Sequence, residues 1–451
     1  MKAKQTLSTG GKKGSLSSDV VLIIILWILV FSERLFYIFY DPSQGAYMVA
    51  DSKNYLQSGL DFARTGMFLY RGHPTALIMP GMQVLIGTIS LIFRETSSFT
   101  TALQIVWVFM GSFVPVYLYR SLRLFTRKSC AFLTSLIYLF PWHMEIDRFL
   151  LTECPYYLFF SIALFYMLRI GKYDKPKDIW RYAFAILGAL LFRANILIFI
   201  LFSFLYWLLV GQRSIKVLSR RLLVIVFVLG LFLVPWTIRN AKVFHSFIPV
   251  TYGAGNPVYE GTYQGENPPT DEEIGQVFPG HSVYAAIAEK RPDLVDAEGN
   301  VSDPNVQQYV DHLVSHELAR IRLSGWWKLR PLGLLKSYLL VKPRIILNWV
   351  WYYTEVFGFS YQAAHRIRQL GFIWCLITLI LARKRLKKQV WFLFITYLIN
   401  LLIISSSLAI DRYAQMIMPY RYLIMGLGLE LLLGYWDSFR NKNLKGQEIS
   451  H

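Results

Sequence analysis

The chain has 451 residues, 55% of them hydrophobic, with a mean hydropathy of +0.39 and a formal net charge of +19. Long apolar runs recur along it, which excludes a soluble globular protein and makes the chain polytopic. The basic residues fall in short clusters between those runs. That is the pattern of cytoplasmic loops, so nucleic acid is excluded as a partner.

Residues 1–18 are polar, basic and rich in Gly and Ser, and read as a disordered cytoplasmic tail. Residues 20–40 form the first span. No small-residue cleavage site follows, so the span is read as uncleaved. A polar stretch, 41–81, comes next, with Asp41 before Pro42 at a turn. Asp51, then Tyr55, Leu56, Leu60 and Ala63, lay an apolar stripe on one helical face and predict a surface helix over 52–65. Gly66 is its expected stop, since glycine accepts the left-handed conformation. Residues 82–93 are apolar but reach across only about half a bilayer, so they read as a juxtamembrane or tilted helix.

Further spans are expected at 100–119, 130–142 and 149–168, with a short polar turn over 143–148. Spans at 182–192 and 196–210 form a pair with Arg193 and Asn195 at their outer turn, and 222–236 follows. Residues 239–366 are the one large polar region. It looks helical over 307–323 and then turns aromatic and basic, with Trp349, Trp351, Tyr352 and Tyr353 as an interfacial belt. Spans at 370–382, 390–404 and 420–435 lead to a basic tail, 438–451. The count is ten spans. With the amino terminus inside, every basic cluster falls on the cytoplasmic face, and 41–81, 143–148, 239–366 and 405–419 share the opposite face. The organisation is a membrane module over 19–238, an extracytoplasmic region over 239–366 with interfacial helices, and membrane helices over 367–437. Cys130, Cys154 and Cys375 lie far apart in or beside apolar segments and read as small buried hydrophobes.

Four polar groups gather on the extracytoplasmic face. Asp51 suits either a helix N-cap or a general base. Glu145, Asp147, Arg148, Thr152 and Glu153 stand at the outer start of a span, where ionisable residues are costly. Arg239 follows Pro235-Trp236 and precedes Asn240; it suits a phosphate or a snorkelling position. Asp411-Arg412-Tyr413 precedes Pro419-Tyr420, and Arg412 could bind an anion or pair with a carboxylate.

Asp51, Tyr55, Gly66, Tyr70, Pro74 and Pro80 resemble the first large loop of the GT-C membrane glycosyltransferases. The resemblance is to family 39 and its bacterial relatives of the protein mannosyltransferases and of the lipid A aminoarabinose transferase. Arg148 with Leu151-Thr152-Glu153, Pro235-Trp236 with Arg239-Asn240, and Arg412-Tyr413 with Pro419 match further family patterns in order. The resemblance implies an all-α bundle of about ten transmembrane helices with juxtamembrane helices and extracytoplasmic loops. It implies inverting transfer of a sugar from a polyprenyl-phosphate donor to a protein, lipid or cell-envelope glycan. Asp51 becomes the base, with Asp147 and Glu153 as further catalytic carboxylates. Tyr55, Arg71, His73, Arg148, Arg239, Asn240, Arg412 and Tyr413 become the substrate-binding set. The chain departs from the protein mannosyltransferases in having Asp51-Ser52 where they show an acidic pair. His73, His143 and His245 are isolated, so no metal set stands out and a divalent metal is left open as cofactor. A transporter or lipid flippase, or a non-catalytic membrane assembly subunit, are the competing classes. A transporter favours polar residues at the midplane, whereas here they gather at outer span ends.

Overall fold

The computed structural model describes residues 18–40, 48, 51–93, 97–348, 350 and 358–448. The readings made of 1–17, of Asp41 and of Trp349, Trp351, Tyr352 and Tyr353 lie outside the described residues. The architecture is all-α. Helix α1 (Ser18–Tyr40) leads to α2 (Ser52–Thr65), a minimal hairpin β1–β2 (Leu69–Tyr70 and His73–Pro74) and α3 (Gly81–Phe93). Then come α4 (Ser97–Ser112), α5 (Val114–Leu122), α6 (Lys128–Ser135), α7 (Pro141–Arg148), α8 (Glu153–Tyr173), α9 (Pro176–Leu190), α10 (Leu197–Leu205) and α11 (Ile215–Phe244). The large polar region folds as α12 (Gly255–Gly261), α13 (Asp271–Val277), α14 (Val283–Ala288), α15 (Gln307–Leu329), α16 (Pro331–Lys336) and α17 (Lys342–Asn348). Helices α18 (Tyr361–Leu381), α19 (Lys387–Ser405) and α20 (Met418–Glu448) complete the bundle, with a 3₁₀ turn, Asp411–Ile417, before α20.

Among the described residues, seven helices are long and apolar enough to cross a membrane: α1, Ser98–Leu122, α8, α11, α18, α19 and Asp411–Asn441. The other three expected spans correspond to shorter helices, Lys128–Leu139, α9 and Ala194–Val210. Helix α8 and the Asp411–Asn441 helix are mostly buried and form the centre, while α1, α11 and α18 bury only a minority of their residues. The exposed face of α11 carries Leu223, Val226, Phe227, Leu231 and Val234, the composition a lipid-facing surface requires.

Ion pairs tie together the helix ends that carry the basic clusters. Arg123 binds Asp19 at 2.8 Å, and Arg127 reaches Glu430 at 3.2 Å and Asp437 at 3.0 Å. Arg213 lies 3.3 Å from Asp174, which also pairs with Arg221. The start of α1 thus meets the end of α5, the start of α6 meets α20, and the end of α8 meets the start of α11.

Two expected boundaries move. Residues 143–148, expected as a polar turn, form α7 and are wholly buried. Pro141 starts the helix in the position where a missing N–H does no harm, and its charges find partners inside the protein. Helix α11 does not end at Pro235-Trp236 but runs on to Phe244. The last turns are held from the side: Trp236 Nε1 donates to Val250 O at 2.6 Å, and Asn240 Nδ2 to Ile248 O at 2.9 Å.

Candidate active site

The site is built on the segment between α2 and α3. Helix α2 ends at Gly66, whose φ of 69° is the left-handed cap its sequence predicted. The face it buries differs from the expected stripe. Ser52, Tyr55, Ser58 and Gly59 are buried, because α2 packs closely on α3, where Ile86 fills the space beside Gly59. Leu56 and Leu60 are only partly buried. Beyond Gly66 the chain makes a hairpin pairing Leu69 with Pro74 and Tyr70 with His73. Arg71 and Gly72 turn it with φ of 54° and 82°, both positive, as a primed two-residue turn demands.

The hairpin is held from three sides. Gln83 of α3 donates to Leu69 O at 2.7 Å, and Gln308 of α15 donates to Tyr70 O. Arg239 of α11 donates to Thr75 O at 2.6 Å and to Phe68 O at 3.3 Å. Its remaining contacts are Asn240 Oδ1 at 2.9 Å and the rings of Phe68, Trp236 and Phe244. Arg239, expected to hold substrate, is thus engaged in fixing this loop, and Asn240, expected to do the same, bonds Arg239 and Ile248 O.

Tyr70 of this hairpin contacts Asp51. Asp51 stands at the N-cap of α2, yet its side chain makes no capping hydrogen bond. One oxygen instead accepts from the Tyr70 hydroxyl at 3.4 Å, and the other lies 3.5 Å from Arg412 Nη2. Both contacts are longer than a normal hydrogen bond, and the side chain is 36% exposed. Tyr55 and Tyr70 lie beside it. Burial pushes both phenols above their ordinary range, and the Asp51 charge adds to the shift.

Arg412 links Asp51 to the start of α8. Its Nε lies 3.5 Å from Glu153 Oε1. Arg193 approaches the same oxygen at 3.1 Å and donates to Thr152 Oγ1 at 3.1 Å. The Tyr413 ring lies 5.0 Å from the Arg193 guanidinium and 5.4 Å from that of Arg412. The first loop, the α9–α10 turn, the start of α8 and the 3₁₀ turn before α20 therefore converge on one alternating row of charge: Asp51, Arg412, Glu153, Arg193. From sequence alone Arg193 is a turn residue only. Its signal was an arginine standing alone between two apolar helices, a costly place for a charge without a task.

Asp147 and Arg148 belong to a second cluster. Asp147 accepts from Arg34 Nε at 2.5 Å, and Arg34 also binds Glu33 at 2.9 Å and Tyr138 O at 2.8 Å. Gly111 leaves the space this carboxylate fills: a Cβ there would lie 2.2 Å from Asp147 Cγ. Arg148 pairs with Glu145 at 3.4 Å and lies over the rings of Tyr37 and Phe149. These groups neutralise one another inside the bundle. Arg71 and His73 sit on the hairpin. Arg71 lies over the Tyr70 ring at 5.5 Å, while His73 is the strand partner of Tyr70. Among the described residues no three His, Cys, Asp or Glu side chains converge as a metal site would need. Cys130, Cys154 and Cys375 are free and buried.

No family model and no curated protein matches the chain. Among solved structures it is similar to ArnT from Cupriavidus metallidurans bound to undecaprenyl phosphate. The identity is 15%, covering 92% of this chain and 77% of that one, with a TM-score of 0.40. It is also similar to ArnT from Cupriavidus metallidurans in the apo state, at 13% identity over 92% of this chain and 76% of that one, with a TM-score of 0.37.

Proposed function

We propose that the chain is an integral membrane glycosyltransferase of the GT-C type. It moves a sugar from a polyprenyl-phosphate-linked donor to an acceptor on the extracytoplasmic face, with inversion at the anomeric carbon. The observation that carries this reading is Asp51: a partly exposed carboxylate that makes no capping bond and is set 3.5 Å from the Arg412 guanidinium.

The chemistry follows from that pairing. An acceptor hydroxyl attacks the anomeric carbon while Asp51 takes its proton. The bond from that carbon to the phosphate oxygen breaks, and the lipid phosphate leaves with one more negative charge. Arginine at this point stabilises the charge as it develops. The cell-envelope acceptor, whether protein, lipid or glycan, would approach from the exposed side of Asp51. Asp147, bound to Arg34, serves better as a support of the α1–α7 packing than as a second base. Arg239 serves by fixing the 68–75 hairpin whose Tyr70 contacts Asp51, and Asn240 by holding Arg239.

The experiment is donor choice. Purified full-length protein is supplied with acceptor lipids and glycans and either a polyprenyl-phosphate sugar or the matching nucleotide sugar. Transfer from the lipid-linked donor alone is the expected result. Equal use of the nucleotide sugar in the absence of lipid carrier would reject the reading.

A further inference from the structure

Two guanidiniums share one carboxylate at the mouth of α8, and their bonding is incomplete. Arg193 Nη1 and Arg412 Nε approach the same oxygen of Glu153, at 3.1 Å and 3.5 Å. Arg412 meets Asp51 no more closely, at 3.5 Å. Its Nε and Nη1 are buried, and neither donates a hydrogen bond among the described residues. Arg412 is therefore near two carboxylates and firmly bonded to neither. Arg193 is better fixed, by Thr152 Oγ1 at 3.1 Å and by the Tyr413 ring that it shares with Arg412.

A guanidinium presents paired donors in a fixed plane, and these match the oxygens of a carboxylate or a phosphate. Two arginines turned toward one small anion make a receptor for that shape and charge. Left empty, they would repel each other in a poorly hydrated place. A carboxylate from the protein's own helix fills the gap, but with one oxygen between two forks it leaves donors unused. A phosphate has more oxygens and more charge, and can use them.

We propose that Arg193 and Arg412 form a clamp for a phosphate anion, and that Glu153 is its internal occupant. In the empty protein Glu153 keeps the two arginines at the spacing a phosphate requires, and an arriving phosphate displaces it. The ligand as a lipid phosphate rests on the donor reading above; the clamp itself rests on the geometry. Glu153 thus acts as a competitor that sets how tightly the anion is held, rather than as a proton carrier.

The test is equilibrium binding to the purified full-length chain, with two probes: a polyprenyl phosphate lacking sugar, and inorganic phosphate. Glu153→Gln keeps the shape and removes the competing charge, and should bind both probes about tenfold tighter, since like charges in contact oppose binding. Arg193→Gln should bind both about tenfold weaker, with Arg193→Lys recovering only part because it lacks the planar fork. Tighter binding cannot arise from misfolding, so the sign of the Glu153→Gln effect is the decisive readout. Thermal melting adds a second: phosphate should raise the melting temperature of Glu153→Gln more than that of the unsubstituted chain. If lipid phosphate binds but Glu153→Gln leaves affinity unchanged or lowers it, the clamp is overturned and the donor reading stands. If inorganic phosphate shows the expected order and lipid phosphate does not bind, the clamp stands and the donor reading falls. Binding of neither probe overturns both.

Discussion

Asp51→Asn separates a catalytic from a structural role, and the contacts of Asp51 set the size of each. The side chain makes no capping bond, so none is lost, and asparagine is in any case as good a cap as aspartate. The amide oxygen can still accept from the Tyr70 hydroxyl, now 3.4 Å away. What disappears is the 3.5 Å pairing with Arg412. With Asp51 36% exposed, solvent screens that pair, and it contributes at most about 1 kcal/mol. Losing a general base costs on the order of a hundred- to ten-thousand-fold in rate, or roughly 2.7–5.5 kcal/mol on the barrier. Activity should therefore collapse while the fold barely changes. The assay pairs a thermal melt in detergent with single-turnover transfer from the lipid-linked donor. A melting temperature within a few degrees of the unsubstituted protein, with turnover nearly abolished, is the expected pair. Turnover near the normal rate would remove Asp51 as the base. A large loss of stability would instead make it a structural residue.

Arg239→Ala removes donors to two loop carbonyls, each such charge-assisted bond contributing roughly 1.5–3 kcal/mol; limited proteolysis should cut the 68–75 loop faster, and unchanged cleavage would refute its bracing role. Asp147→Ala strands Arg34, which is only 1% exposed, at a cost of about 3–5 kcal/mol, nearer the lower figure because Glu33 remains 2.9 Å away. Asp147→Asn, which still accepts from Arg34, should melt well above Asp147→Ala; equal melting temperatures would count against the pair. His312 accepts from the Gly255 N–H through Nδ1 at 3.2 Å, and burial holds its pKa down to about 4 from an ordinary 6.5. Between those values the unfolded chain binds the extra proton, so stability rises with pH there and is lost on acidification from about 6.5 toward 4. The melting temperature should fall less between pH 7.5 and 5 in His312→Asn, whose amide oxygen can take the same bond; an equal fall in both would refute the assignment.

The membrane helices were legible because the bilayer imposes its length on the sequence and charge marks the end of each run. Their boundaries were less so. Nothing local announces that α11 survives Pro235, since the bonds that hold its last turns come from Val250 and Ile248, on the chain beyond the helix. Helix α7 hid for a related reason. Met144-Glu145-Ile146-Asp147-Arg148 looks like a solvated turn until Arg34, more than a hundred residues earlier, supplies the charge that lets it be buried. Apolar periodicity located α2 but misjudged its buried face. The stripe rule ranks residues by hydrophobicity, whereas close packing on α3 ranks them by size and selects Gly59 and Ser58.

The candidate site divides along the same line. Asp51 and Arg412 could be named from sequence because each sits beside a turn with a recognisable pattern. Arg239 carried as good a pattern, and the structure gives its donors to backbone carbonyls. An arginine motif at a membrane surface records that a guanidinium is needed, without recording what for. Phosphate binding and loop bracing both call for several donors in a plane, so residue type cannot separate them. The number of donors already satisfied can. Arg239 has two carbonyls and an amide oxygen within hydrogen-bond distance, whereas Arg412 Nε and Nη1 donate no hydrogen bond among the described residues, with Glu153 Oε1 3.5 Å from Nε. Capacity to bind a further anion lies where donors are left over, and we therefore propose Arg412 rather than Arg239 for that role.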